Sequence, residues 1–193
     1  MSDNILNPMQ LQRWHQSGLG FDDYLATGSS GQRRDWSNVY DAVGLSNNQR
    51  DLIGGFTRQI NVIGVSGIWC GDCAQQCPLI QRIADASSMI DLRWLDRDEH
   101  ADLQKMVRIN GGDRVPVVVF CSEDYELAGW FGDRTLNRYR ALADSQLGPS
   151  CPLPGAPVPP HQTAVVLADW VDQFERIHLL LRLSPRLRTV HGD

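Results

Sequence analysis

The stretch INVIGVSGIWCGDCAQQCPLIQRIA, residues 60–84, constrains the fold more than any other part of the chain. Ile60–Ser66 is a β-branched run of strand length, and from Ala74 to Ala86 the apolar residues recur with a helical period. Between them stands Trp69-Cys70-Gly71-Asp72-Cys73, so a Cys-x-x-Cys pair falls where strand gives way to helix. The spacing lets the two sulfurs reach a bonding distance of ~2.05 Å without displacing the backbone. Unpaired N–H groups and the positive dipole end of the helix favour a thiolate at the first cysteine. The second cysteine lies one turn on and faces inward. Attack and resolution are thereby divided between two positions.

The rest of the composition narrows the chemistry. Five cysteines in 193 residues are too few and too unevenly placed for a secreted disulfide scaffold, and three of them are Cys70, Cys73 and Cys77. The N-terminal MSDNILNPMQ has no basic region followed by an apolar run, so no secretory signal is read and a cytoplasmic protein is expected. No apolar run approaches the length of a membrane span. The net charge of −5 argues against nucleic acid as the partner. Lys105 is the only lysine, and nothing marks it for Schiff-base chemistry.

Four segments follow from pattern. Residues 1–57 read as short helices: Asn7-Pro8 opens one that Gly18 stops, Phe21–Thr27 ends at Gly28, and Trp36, Val39, Tyr40 and Val43 form a stripe before Gly44. Ser46 and Gln49 have capping-box spacing ahead of Leu52, Ile53 and Phe56. These helices are too short to stand alone and are expected to pack on the core. Residues 58–145 alternate: after the strand and helix above come Leu92–Leu95, a helix over Glu99–Val107, strands Val115–Cys121 and Tyr125–Phe131, and a helix capped by Asp133. The order β-α-β-α-β-β-α predicts an α/β fold, a mixed sheet flanked by helices on both faces. Residues 148–160 hold six prolines and two glycines, a stiff loop. Residues 161–184 carry the apolar face Val166, Trp170, Phe174, Ile177 and Leu181, ended by Ser184-Pro185, and residues 185–193 read as a frayed tail.

The central stretch resembles the thioredoxin superfamily. Trp69 and Gly71 agree with that family's motif, Pro78 stands at its helix-kinking proline, and Arg114-Val115-Pro116-Val117 is similar to its strand that begins with a cis-proline. Gly132 fits the glycine that closes the family's groove, with Gly129 a second candidate. The resemblance spans about residues 58–145. It implies a thioredoxin-like fold and thiol–disulfide exchange, with Cys70 as nucleophile and Cys73 as resolving thiol. Trp69, Val115, Pro116 and Gly132 would line the groove, and the Val115 backbone would pair with an extended peptide. The partners implied are a disulfide-containing substrate and an electron donor, either a reductase or a low-molecular-weight thiol. No organic cofactor and no metal are implied.

Two departures from the family pattern stand out. Its buried aspartate aligns with Gly64, and its central motif proline is replaced by Asp72. A carboxylate beside a thiolate disfavours it, so Asp72 is expected to raise the Cys70 pKa. A less stabilised thiolate makes the dithiol less favoured, which tilts the pair toward reducing its partners.

Other readings remain open on residues alone. Cys70, Cys73 and Cys77-Pro78 match three ligands of a ferredoxin-type run, but position 67, where a fourth would stand, is glycine. Cys77 suits core packing better than a third redox role, Cys121 reads as core, and Cys151 falls in the proline-rich loop. The chain could also be a binding module or a redox sensor in which the dithiol does not turn over. Asp96–Asp102 lacks calcium-loop spacing and reads as a solvated turn. The histidines show no ligand spacing, and His178 reads as satisfied within the last helix. The tryptophans are expected to anchor packing, except Trp69.

Overall fold

The computed structural model describes residues 6–147 and 160–192. The proline-rich stretch up to residue 159, with Cys151, lies outside the described residues. Four helices come first: α1 (Pro8–Ser17), α2 (Phe21–Ala26), α3 (Ser30–Ala42) and α4 (Asn47–Gly54). Three of them begin with a reciprocal cap. Asn7, Ser29 and Ser46 each accept from the backbone three residues on, while Gln10, Gln32 and Gln49 reach back to the cap N–H. Two orphan donors are satisfied at each start.

The sheet has four strands: β1 (Ile60–Ser66), β2 (Ile90–Asp96), β3 (Val117–Cys121) and β4 (Leu127–Gly132). They lie in the order β2-β1-β3-β4, with β1 parallel to β2 and antiparallel to β3, and with β3 and β4 forming an antiparallel hairpin. The parallel pair needs a crossover, supplied by α5 (Gly71–Ala84). Every residue of β1 is buried, so both its faces are covered. The short α6 (Ala101–Met106) leads toward β3, and α7 (Leu136–Leu147), α8 (Pro160–Arg182) and α9 (Pro185–His191) complete the chain.

Several boundaries differ from expectation. β3 begins after Pro116, which has no N–H to give to a ladder. Tyr125 belongs to the turn before β4, with φ 62°, rather than to the strand. Asp133 does not cap α7: Thr135 Oγ1 accepts from the Arg138 N–H at 3.3 Å, and Asp133 is buried in an ion-pair network instead. The tail expected to fray forms α9, capped by Ser184 and pinned by buried Leu187, with Arg186 paired to Asp124 and His191 to Glu123. Among the tryptophans, Trp130 is 47% exposed on the edge strand rather than packed.

The first helices are part of the core. Tyr24, Trp36 and Trp94, from α2, α3 and β2, have ring centroids 5.6 to 6.2 Å apart. On α8, Phe174 meets Phe120 edge-on at 5.1 Å and Trp170 meets Phe131 at 5.2 Å. His178 stacks on Phe56 and accepts from the Thr57 N–H at 3.0 Å. Burial and the nearby Arg182 hold its pKa below the ordinary imidazole range, as a neutral acceptor requires.

Gly64 is fixed by its neighbour across the sheet. A Cβ there would lie 2.4 Å from the Trp94 ring, so that indole occupies the space a side chain at 64 would need. Gly64→Asp is therefore expected to destabilise the fold by about 3 kcal/mol or more, through overpacking and an unpaired buried carboxylate. Denaturant titration checks this; an unchanged midpoint would show that Trp94 yields freely.

Candidate active site

The turn from β1 into α5 is held from the N-terminal helices. Buried Trp36 donates its indole N–H to the Ile68 carbonyl at 3.2 Å, and Arg82 of α5 donates to the Tyr40 carbonyl at 2.9 Å. Cys70 is the N-cap residue of α5, with extended backbone at φ −83° and ψ 124°. It is partly exposed, whereas Cys73 and Cys77 are fully buried. Cys70 Sγ donates to the Val115 carbonyl at 3.9 Å, and the Val115–Pro116 peptide is cis. Gly132 closes the far side. A Cβ there would lie 2.4 Å from the Pro116 carbonyl oxygen, so only glycine permits this approach. Gly129 pairs with Phe120 farther along β4, whereas Gly132 pairs with Val117, next to Pro116. Trp69 stands 48% exposed, with the Arg97 guanidinium 4.5 Å above its ring. Trp69, Cys70, Val115, Pro116 and Gly132 are thus brought together from three parts of the chain.

The two motif thiols are held above the ordinary range. For Cys70 the largest cause is its hydrogen bond with the Cys73 thiol, then burial, while the Cys73 and Asp72 backbone N–H groups act in the opposite sense. For Cys73 it is burial, reinforced by Cys77. Burial also pushes Cys121, at the end of β3, up to about 12. Besides burial, the groups that act most on Cys73 are the Cys70 and Cys77 thiols and the Ser66 hydroxyl. Ser66 Oγ lies 3.5 Å from Cys77 Sγ, and the buried Tyr24 hydroxyl faces the same serine. Burial raises that phenol as well, so it offers no base for the Cys73 proton.

Asp72 is surrounded differently from what its place in the motif suggests. Its carboxylate is ion-paired to Arg134 and, at 3.3 Å, to Arg138. The elevation of Cys70 therefore comes from Cys73 and burial rather than from a bare carboxylate at 72. Arg134 also pairs at 3.0 Å with Asp133, which takes Arg114 at 3.1 Å and the Tyr139 hydroxyl. Burial of Asp133 opposes ionisation, but the hydrogen bonds from Tyr139 and Arg114 outweigh it and hold the carboxyl below its usual range. Gln76 of α5 donates to the Asp133 carbonyl at 3.0 Å and accepts from Trp170 at 3.3 Å, tying the network to α8.

Sequence reasoning passed over Arg134, Arg138, Tyr139, Gln76, Tyr24 and Ser66. One signal was present: arginines four apart just after Gly132-Asp133 fall on one side of a helix start. The acidic stretch 96–102 is a turn and helix start, where Asp96 accepts from the Asp98 N–H and Asp102 from Trp14. Among the described residues, no group of three His, Cys, Asp or Glu side chains is placed to hold a metal ion.

A family model described as Thioredoxin matches residues 18–144. It begins well before residue 58, so α2, α3 and α4 fall inside the matched region. Among solved structures, PA1234 from Pseudomonas aeruginosa, a protein of unknown function, superposes with a TM-score of 0.69 at 14% identity, covering 90% of this chain and 97% of that one. An HIV epitope-scaffold of the 4E10 series gives 0.63 at 14% identity, covering 86% and 95%. Likeness at this identity is a likeness of fold. No curated protein matches the chain.

With both motif thiols elevated, alkylation of Cys70 in the native reduced protein should be slow at neutral pH and still rising at about pH 9. Cys73, Cys77 and Cys121 should be protected until the protein unfolds. Peptide mapping after timed iodoacetamide treatment reads both. A plateau reached by neutral pH would contradict the elevated thiol.

Proposed function

The chain belongs to the thioredoxin family, and on that premise we propose that it is a thiol–disulfide oxidoreductase that reduces protein or small-molecule disulfides through Cys70 and Cys73. The observation that carries this reading is the division of the pair: Cys70 at the open cap of α5 beside the Val115 carbonyl, Cys73 buried one turn behind it. The Cys70 thiolate attacks one sulfur of the substrate disulfide and forms a mixed disulfide, expelling the other sulfur as a thiolate. Cys73 then attacks Cys70 Sγ, closing the Cys70–Cys73 bridge and expelling the second substrate thiolate. The substrate gains two electrons and two protons, and the protein loses both. An external dithiol or reductase restores the protein.

The direction is supported by the thiols themselves. A strong oxidant is one whose reduced form is stabilised, usually as a thiolate. Here neither motif thiol is stabilised in that form. Val115 and Pro116 would present the backbone edge along which an extended peptide aligns its disulfide, with Trp69 and Gly132 as the walls. Among the described residues no helix is long and apolar enough to cross a membrane. A reducing compartment would suit a dithiol kept ready in this way.

Cys73→Ser should trap the covalent complex between Cys70 and substrate, seen as a mass adduct that added dithiothreitol releases. Cys70→Ser should form no adduct and show no turnover in a disulfide-reduction assay. Turnover surviving in Cys70→Ser would overturn the assignment. Adduct formation without wild-type turnover would favour a stoichiometric sensor.

A further inference from the structure

The carboxylate inside the motif does not stand alone, and its partners come from a different element. Arg134 Nη2 contacts Asp72 Oδ2, and Arg138 Nη2 contacts Oδ1 at 3.3 Å, so each carboxylate oxygen has its own guanidinium. The three side chains are 24%, 16% and 18% exposed, little enough that solvent screens them weakly. Arg134 is itself oriented by Asp133, which is fixed by Arg114, Tyr139 and Gln76. Counting Arg114, Arg134 and Arg138 against Asp72 and Asp133, the network bears three positive charges and two negative. The head of α5 thus meets a positive surplus despite the acidic residue in its first turn.

We infer that Arg134 and Arg138 are positioning residues that neutralise Asp72, so that the carboxylate between the cysteines does not suppress the Cys70 thiolate. The inference rests on the reading of Cys70 as the nucleophile. Asp72 gains from its place in the first turn, where the helix dipole favours an acid. Its charge would otherwise oppose a thiolate at the cap. The arginines separate the two effects: the helix keeps its acidic second residue and the sulfur is spared the repulsion. Other groups facing the thiols stay constant in the test below. They are Ser66, Cys77 and Tyr24 around Cys73, the Val115 carbonyl at Cys70, and Arg97 over Trp69.

The test is the pH midpoint of Cys70 alkylation, read without substrate. In Arg134→Gln/Arg138→Gln the midpoint should rise by about one unit, a tenfold smaller thiolate fraction at fixed pH. Attack on a small aromatic disulfide should slow by only about threefold, because the more basic thiolate is also more nucleophilic. In an Asp72→Asn background the same arginine substitutions should leave the midpoint unchanged. Arg138→Lys, which keeps the charge, should keep the wild-type midpoint, and it serves if the double variant fails to fold by circular dichroism. An equal shift with and without Asp72, or no shift in a folded variant, would overturn the inference and leave the arginines as a latch between α5 and α7. Wild-type protein with the expected midpoints but no disulfide reductase activity would defeat the oxidoreductase reading alone.

Discussion

A helix that must bury its second turn while leaving a sulfur at its cap open to solvent imposes conflicting demands on one short segment. In α5 these demands are met by packing from elements distant in sequence. The N-terminal helices brace the incoming turn through Trp36 and the body of α5 through Tyr40. The Pro116 segment supplies a carbonyl against Cys70, and Gly132 lets β4 close behind it. The β1–β3 and β3–β4 ladders bring the Pro116 segment and Gly132 to the same end of the sheet as the strand-to-helix junction.

Charge is arranged with the same economy. At the depth where the family pattern has an aspartate, this chain has Gly64, and the vacated space holds the Trp94 indole. With no side chain at 64, burial sets the Cys73 thiol, and burial disfavours its thiolate. The one acidic residue in the motif is displaced to the rim and covered by guanidinium groups. The result is a dithiol whose protonated form is favoured and whose surroundings do not add a repulsive charge.

Much of this was legible in the sequence, for identifiable reasons. β1 matched its β-branched run end to end, and Asn7-Pro8 and Ser46 marked helix starts, because caps and strand patterns are local. The apolar face from Val166 to Leu181 was readable from its period and is buried throughout. Two kinds of feature were not readable. The Asp72–Arg134–Asp133 network joins residues about sixty positions apart, and an aspartate before a helix looks like a cap until its partners are seen. α9 is only seven residues long, and its docking depends on Leu187 and on acids in the β3–β4 turn that no local pattern announces.

The measurement that bears most directly on the proposed chemistry is a redox titration of the intact protein. The protein would be equilibrated in graded thiol–disulfide buffers, free thiols alkylated, and the peptides mapped. A single reversible bridge between Cys70 and Cys73 is expected, with Cys77 and Cys121 remaining free thiols. Its potential should lie toward the reducing end of the range between roughly −120 and −270 mV. Failure of that bridge to form at any poise, or a potential at the strongly oxidising end, would contradict a dithiol built to reduce its partners.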